Sequence, residues 1–330
     1  MKRIVIIVCY YGRLPEWFNI WVESCKYNST FDFIIITDNY LCNMPQNIKV
    51  INIEFNQLKK IFSEAIGFDI VLNEPYKLCD FKPIYGKAFK QYIENYDFWG
   101  HCDLDLIWGD LKKFITDEML SKYDLIGMYG HLMIYRNNEK MNNLFKEKGG
   151  TFSYKKVYSH NESFGFDEMT GMDRIALAND VSQFKNLKIA NMMPNISRFR
   201  ANGVKATKEF YLWKDGKILR IFLDNDVIKS DEYAYIHFSG KKPKNALLGQ
   251  TDIKSNIYLE ADLIEYRKDT HFSTDELELR NKFISEEQDK TEIKQSKKNK
   301  MNLFLKKGFY QKIILFKMKI YLRKNKGKIR

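Results

Sequence analysis

Apolar, β-branched runs and helix-forming stretches take turns through the first hundred residues, and this alternation constrains the fold more than any other feature. Residues 3–9, 33–36, 49–53 and 98–102 read as strands, with helical patterns over 15–27, 57–66 and 83–96 between them. Strands joined through helical crossovers pair in parallel. The pattern therefore predicts an α/β fold with a mainly parallel central sheet flanked by helices.

The middle of the chain is more mixed. Strands are expected near 124–135, helices near 138–148 and 168–178, and a hairpin over 210–222 that turns on Asp215-Gly216. From 275 to 300 the sequence becomes charged and nearly free of aromatics, as an exposed helix or linker would be. These shifts divide the chain into a catalytic domain over 1–274, a linker or helix over 275–300 and a tail over 301–330.

The net charge of +12 invites a nucleic-acid reading, but 14 basic residues and no acidic ones lie between Lys294 and Arg330, which leaves −2 for everything before them. In the tail, Leu305, Phe309, Ile313, Phe316 and Ile320 recur at helical spacing, with Lys306, Lys307, Lys317 and Lys324 outside that stripe. Aliphatic and aromatic residues beside so many cations fit an anionic membrane surface rather than nucleic acid. The five scattered cysteines form no C-x-x-C pair and suit a reducing cytoplasm. No apolar run is long enough to span a bilayer, and the short run after Met1 reads as a strand rather than a signal peptide. The expectation is a cytoplasmic protein, peripheral on the inner face of the plasma membrane.

The segment that carries chemistry is Trp99-Gly100-His101-Cys102-Asp103-Leu104-Asp105, followed by Gly109-Asp110-Leu111. A buried strand ending in Asp-x-Asp sets two carboxylates at the sheet edge where open α/β folds bind ligands. Hard oxygen ligands there suit Mn²⁺ or Mg²⁺ carrying a diphosphate. Asp224-Asn225-Asp226 is a second such triplet, read as a solvated turn. His237, at the end of a short strand, is the third metal ligand expected beside Asp103 and Asp105, a structural histidine among aromatics being the alternative, and Gly240, Lys241 and Lys242 follow it, able to approach phosphate oxygens.

Other donor contacts are expected by position. Tyr10, Tyr11 and Gly12 follow the first strand and Asp38 the second, so they flank a switch-point crevice, and Leu104 is counted with its neighbour Asp103. For one of the two tyrosines, core packing is an equal alternative. Lys77, Asp80 and Lys82 precede the Pro83 helix and are assigned to the donor, a surface salt-bridge cluster being the alternative. Asp167 and Glu168 open the helix after an aromatic loop. Aromatic faces beside carboxylates suit sugar hydroxyls, and Asp167 serves equally as a helix cap with Glu168 in the first turn.

Together, the first strand ending in tyrosine, the Asp103-Leu104-Asp105 strand with its Gly-Asp-Leu, and His237-Phe238-Ser239-Gly240-Lys241 resemble GT-A glycosyltransferases of family 8 and the related family 32. They also resemble glycosyltransferases of bacterial capsule and lipopolysaccharide loci. Over residues 1–245 the resemblance implies the Rossmann-like GT-A fold, a UDP-sugar donor and a Mn²⁺ ion on Asp103, Asp105 and His237, with Lys241 or Lys242 near the diphosphate. It implies transfer, with retention, of a hexosyl group to a lipid-linked or cell-surface glycan acceptor, and makes Asp167 and Glu168 the candidates for transition-state stabilisation or, with inversion, for the general base. The Lys-Pro-Trp ending of family 8 is missing. A nucleotide-sugar nucleotidyltransferase and a non-catalytic carbohydrate-binding protein are the competing classes. The first would carry a glycine-rich basic loop after its first strand, where Tyr10-Tyr11-Gly12-Arg13 stands, and the second would need no metal.

Overall fold

In the computed structural model, residues 2–192, 199–201, 209–239, 244–245, 256–259, 263–266, 272–275 and 277 are described. Strand β1 (Ile4–Cys9) is apolar at all six positions, as a strand covered on both faces must be. It runs parallel to β2 (Phe31–Thr37) on one side and to β4 (Phe98–Cys102) on the other, while β3 (Ile48–Asn52) continues the parallel set beyond β2. On the far side of β4 lie antiparallel β7 (Leu132–Arg136), then β6 (Leu125–Met128) and β8 (Gln183–Phe184), giving the seven-stranded order β3-β2-β1-β4-β7-β6-β8. The class expected from the sequence is the one found.

Strand parity separates two cores. Val5 and Ile7 join Leu58 and Phe62 of helix α2 (Phe55–Ile66) on one face. Ile4, Ile6 and Val8 join Trp21 and Cys25 of helix α1 (Phe18–Lys26) on the other. Burial of such side chains contributes roughly 1.5–3 kcal/mol each, so the sheet is fixed from both sides before any polar group is considered.

Three helices expected as continuous are shorter or broken. The 83–96 stretch contains one-turn pieces, Lys82–Ile84, Tyr85–Ala88 and Lys90–Ile93. Pro83 removes a helical donor, and the chain bends to bring Gly86 against the Trp99 indole, where a Cβ would fall 2.3 Å from Cε2. The 138–148 helix reduces to Glu139–Asn142 and a 3₁₀ turn over Leu144–Lys146. The 168–178 helix starts only at Met172, because Met172 N–H donates to the Phe166 carbonyl and closes residues 167–171 into turns.

Two further sheets follow, joined by Trp213 Nε1 of the larger donating to the Trp108 carbonyl of the smaller at 2.9 Å. The smaller has the order β10-β9-β14-β5, from β5 (Leu106–Trp108), β9 (Ile189–Met192), β10 (Phe199–Ala201) and β14 (Tyr235–His237). The larger contains the expected hairpin, β11 (Glu209–Lys214) and β12 (Lys217–Asp224), with Asp215 and Gly216 both at positive φ. Asn225 and Asp226 turn the next hairpin at φ 49° and 61°, so the second Asp-x-Asp triplet is a turn. Among the described residues no helix is long and apolar enough to cross a membrane.

Candidate active site

The sheet order reverses between β1 and β4, which makes their carboxyl ends the switch point where open α/β sheets bind ligands. Asp103 follows β4 there, tied by its N–H to the His131 carbonyl at 3.1 Å, and Asp105 follows two residues later. The peptide between them is pinned from behind: the Leu104 side chain is buried and its carbonyl accepts from Trp17 Nε1 at 2.8 Å. Leu104, grouped above with the donor contacts, is therefore a core residue through its side chain.

Backbone pairing delivers His237 to the aspartates. β14 runs antiparallel to β5 with His237 opposite Leu106, and Phe238 N–H donates to the Asp105 carbonyl at 2.9 Å. His237 Nε2 lies 3.3 Å from Asp105 Oδ1, and one ligand atom each from Asp103, Asp105 and His237 fall within 4.8 Å of one another. The parallel register of β9 and β14 sets Asn191 beside His237, 2.9 Å from Nδ1. An amide oxygen can only accept, so Nδ1 carries a proton, and Nε2 is the ring nitrogen that faces the carboxylates and would offer its lone pair to a bound ion. The imidazole also stacks on His131, whose Nδ1 meets the Tyr235 hydroxyl at 2.8 Å. Two carboxylates and an imidazole aimed by a carboxamide form a donor set that fits Mn²⁺. Asn191, His131 and Tyr235 escape a sequence reading, because only the strand register brings them to His237.

Behind Asp103 lies Lys82, buried at 7% exposure. Its ammonium reaches Asp103 Oδ1 at 2.5 Å, Asp167 Oδ2 at 2.8 Å and the Gly130 carbonyl at 3.2 Å. Gly130 sits at φ 81° in the β6–β7 turn, and a Cβ there would fall 2.9 Å from Asp167 Oδ2, so the turn itself closes this pocket. Burial pushes the Asp167 carboxyl up to about 7 against the opposing Lys82 charge. Glu168 is exposed next to it, and its carboxyl is also raised, first by burial and then by the Asp103 charge.

Lys77 and Asp80, expected at the donor, instead serve the protein. Both are buried and pair at 2.7 Å. Lys77 also donates to the carbonyls of Val157 and Glu162, and Asp80 accepts from Phe164 N–H at 2.9 Å and Phe166 N–H at 2.8 Å. Every charge is satisfied within the fold, and the pair fixes the loop that leads to Asp167. Cys79, Asp80 and Asp167 also lie within 4.8 Å of one another. Asp80 is taken by Lys77 and two backbone N–H groups and Asp167 Oδ2 by Lys82, while the buried Asp167 Oδ1 makes no hydrogen bond; burial pushes the Cys79 thiol up to about 11, away from the thiolate that a metal ion needs.

The two tyrosines after β1 separate by parity. Tyr11 is buried in the α2-side core, edge-on to Phe55, and its hydroxyl donates to the Ile53 carbonyl at 2.9 Å. It is a core residue and not a base platform. Tyr10 stays partly exposed, and burial followed by the nearby Asp105 charge raises its hydroxyl pKa. Gly12, at φ 98° with nothing within 4 Å of a Cβ, is joined to the β2 loop by Asn39 Nδ2 donating to its carbonyl at 3.0 Å, beside exposed Asp38. Gly240, Lys241 and Lys242 lie outside the described residues, as do 278–330.

The model of a family described as a family of unknown function, DUF6625, matches residues 6–268. No curated protein sequence matches the chain. Among solved structures, the galactosyltransferase LgtC in complex with donor and acceptor sugar analogues is similar at 11% identity, over 58% of this chain and 76% of that one, with a TM-score of 0.34. The apo-form glycosyltransferase GlyE of Streptococcus pneumoniae TIGR4 is similar at 12% identity, over 56% and 45%, with a TM-score of 0.32.

Proposed function

The chain belongs to the family of unknown function DUF6625, and from that premise we propose that it is a metal-dependent glycosyltransferase of the GT-A type. One observation carries the reading: Asp103, Asp105 and His237 converge at the carboxyl ends of β1 and β4, where an α/β sheet receives a nucleotide. The donor is a UDP-hexose, the acceptor a lipid-linked or cell-surface glycan, and the anomeric configuration is retained.

A divalent cation bound there neutralises the negative charge of a departing nucleoside diphosphate. Asp103 and Asp105 supply its hard oxygens, and Asn191 keeps His237 in the tautomer that can join them. Tyr10, Gly12 and Asp38 border the nucleoside end of the crevice, and Gly240, Lys241 and Lys242 are the diphosphate contacts proposed from sequence. Asp167 is paired with Lys82 through Oδ2, whereas Glu168 is exposed and feels the Asp103 charge, so Glu168 is the carboxylate proposed to face the reacting sugar carbon. The basic tail holds the enzyme at the anionic inner leaflet.

A thermal-shift series with UDP-sugars, with and without Mn²⁺, identifies the donor, because ligands stabilise the state they bind. With that donor, release of nucleoside diphosphate is expected to fall on the order of 100-fold or more in Asp103→Asn and Asp105→Asn. Unchanged release in both variants overturns the assignment. Release of pyrophosphate in its place identifies a nucleotidyltransferase, and no turnover with any donor favours a binding protein.

A further inference from the structure

Lys82 has an unusual position for a buried cation. Its three N–H donors meet three acceptors, Asp103 Oδ1 at 2.5 Å, Asp167 Oδ2 at 2.8 Å and the Gly130 carbonyl at 3.2 Å, so the ammonium is saturated and has no freedom to turn away. The charge therefore sits, desolvated, against one of the two carboxylates that would hold a metal ion. A divalent ion arriving alone meets Asp103 with one oxygen already engaged by a cation, and repulsion from that cation is little screened away from water.

We propose that Lys82 is an internal counter-ion of the metal site that holds off free divalent ions until a nucleoside diphosphate brings negative charge with them. The inference rests on Asp103, Asp105 and His237 being the metal ligands. Its consequence is coupled entry: metal and donor bind as a unit, and the empty enzyme stays metal-poor at ordinary Mn²⁺ concentrations. Asp167 and Gly130 have the supporting role of keeping Lys82 in place, which gives a reason for burying a carboxylate so close to the chemistry.

The test measures Mn²⁺ binding by electron paramagnetic resonance on the full chain, with and without uridine diphosphate. Lys82→Met removes the charge, Lys82→Arg keeps it, and Lys82→Met with Asp167→Asn removes both buried charges, so that a folded neutral variant is available if the single change fails to fold. The neutral variants are expected to bind Mn²⁺ without nucleotide at least about tenfold more tightly than the native chain. The factor by which uridine diphosphate tightens Mn²⁺ should shrink accordingly, with Lys82→Arg close to native. Free Mn²⁺ binding that is equal or weaker in the neutral variants overturns the inference. If Asp103→Asn still abolishes binding in that case, the metal-site reading survives alone. Absence of Mn²⁺ from every variant, with or without nucleotide, overturns both.

Discussion

At Asp167, burial and charge oppose each other within a single side chain. Burial raises its carboxyl from the ordinary 3.8 to about 7, although Lys82 pulls it the other way. A group whose folded pKa lies above its unfolded one stabilises the fold fully below the unfolded value, and that contribution disappears as pH rises through the folded value. The window here runs from about 4 to about 7. Asp167→Asn has no proton to lose, so stability of the native chain relative to this variant should fall across that window, by at most about 1.4 kcal/mol per pH unit, and level off above it. Urea unfolding at several pH values reads the slope, and a flat difference would remove the burial argument. The same scale explains what was legible in the sequence. Asp103 and Asp105 could be read because an i, i+2 pair at a strand end shares one side, whereas Tyr10 and Tyr11, one residue apart, fall on opposite faces, and parity gives only one of them to the crevice.

The elements that carry the site are held by polar clasps as much as by apolar packing. Lys77 and Asp80 lie in adjoining short helical turns, Pro75–Lys77 and Leu78–Phe81, and together they bind the chain between Val157 and Phe166. The sequence shows the charges at Lys77, Asp80 and Lys82 but not what they face, because the partners of Lys77 and Asp80 include backbone groups more than 70 residues away. Local spacing carries no information about such partners. Asp80→Asn preserves the shape but removes the charge that balances Lys77 and, in either amide orientation, turns a donor on a backbone N–H that Asp80 accepts from. Breaking a buried pair in this way typically costs about 3–5 kcal/mol. The expected result is a lower unfolding midpoint together with faster amide exchange at Phe164 and Phe166. Native exchange at these two amides would show that the loop is held by other contacts. The broken helix over 83–96 has the same origin: Gly86 against Trp99 is a tertiary demand that periodicity cannot reveal.

Across the whole molecule, charge is distributed as if two tasks had been divided. The residues before Lys294 carry −2 and hold the sheet and the crevice, whereas residues 301–330 alone contribute ten basic side chains and no acidic one. That contrast was open to reading because it needs only composition. Each lysine or arginine near an anionic leaflet contributes about 1 kcal/mol, and an apolar stripe adds attraction that salt does not screen. The full chain should therefore sediment with vesicles rich in anionic lipid and much less with zwitterionic ones. Salt should weaken the association without abolishing it, since the Debye length falls from about 10 Å at 0.1 M to about 3 Å at 1 M. Removal of residues 301–330 should leave the protein in the supernatant with its turnover of a soluble acceptor intact, because Asp103 and Asp105, between β4 and β5, and His237, on β14, are all held by strands of the preceding chain. A truncated protein that still sediments with anionic vesicles would move the membrane contact to the catalytic body, and one that loses turnover on a soluble acceptor would make the tail part of the acceptor site.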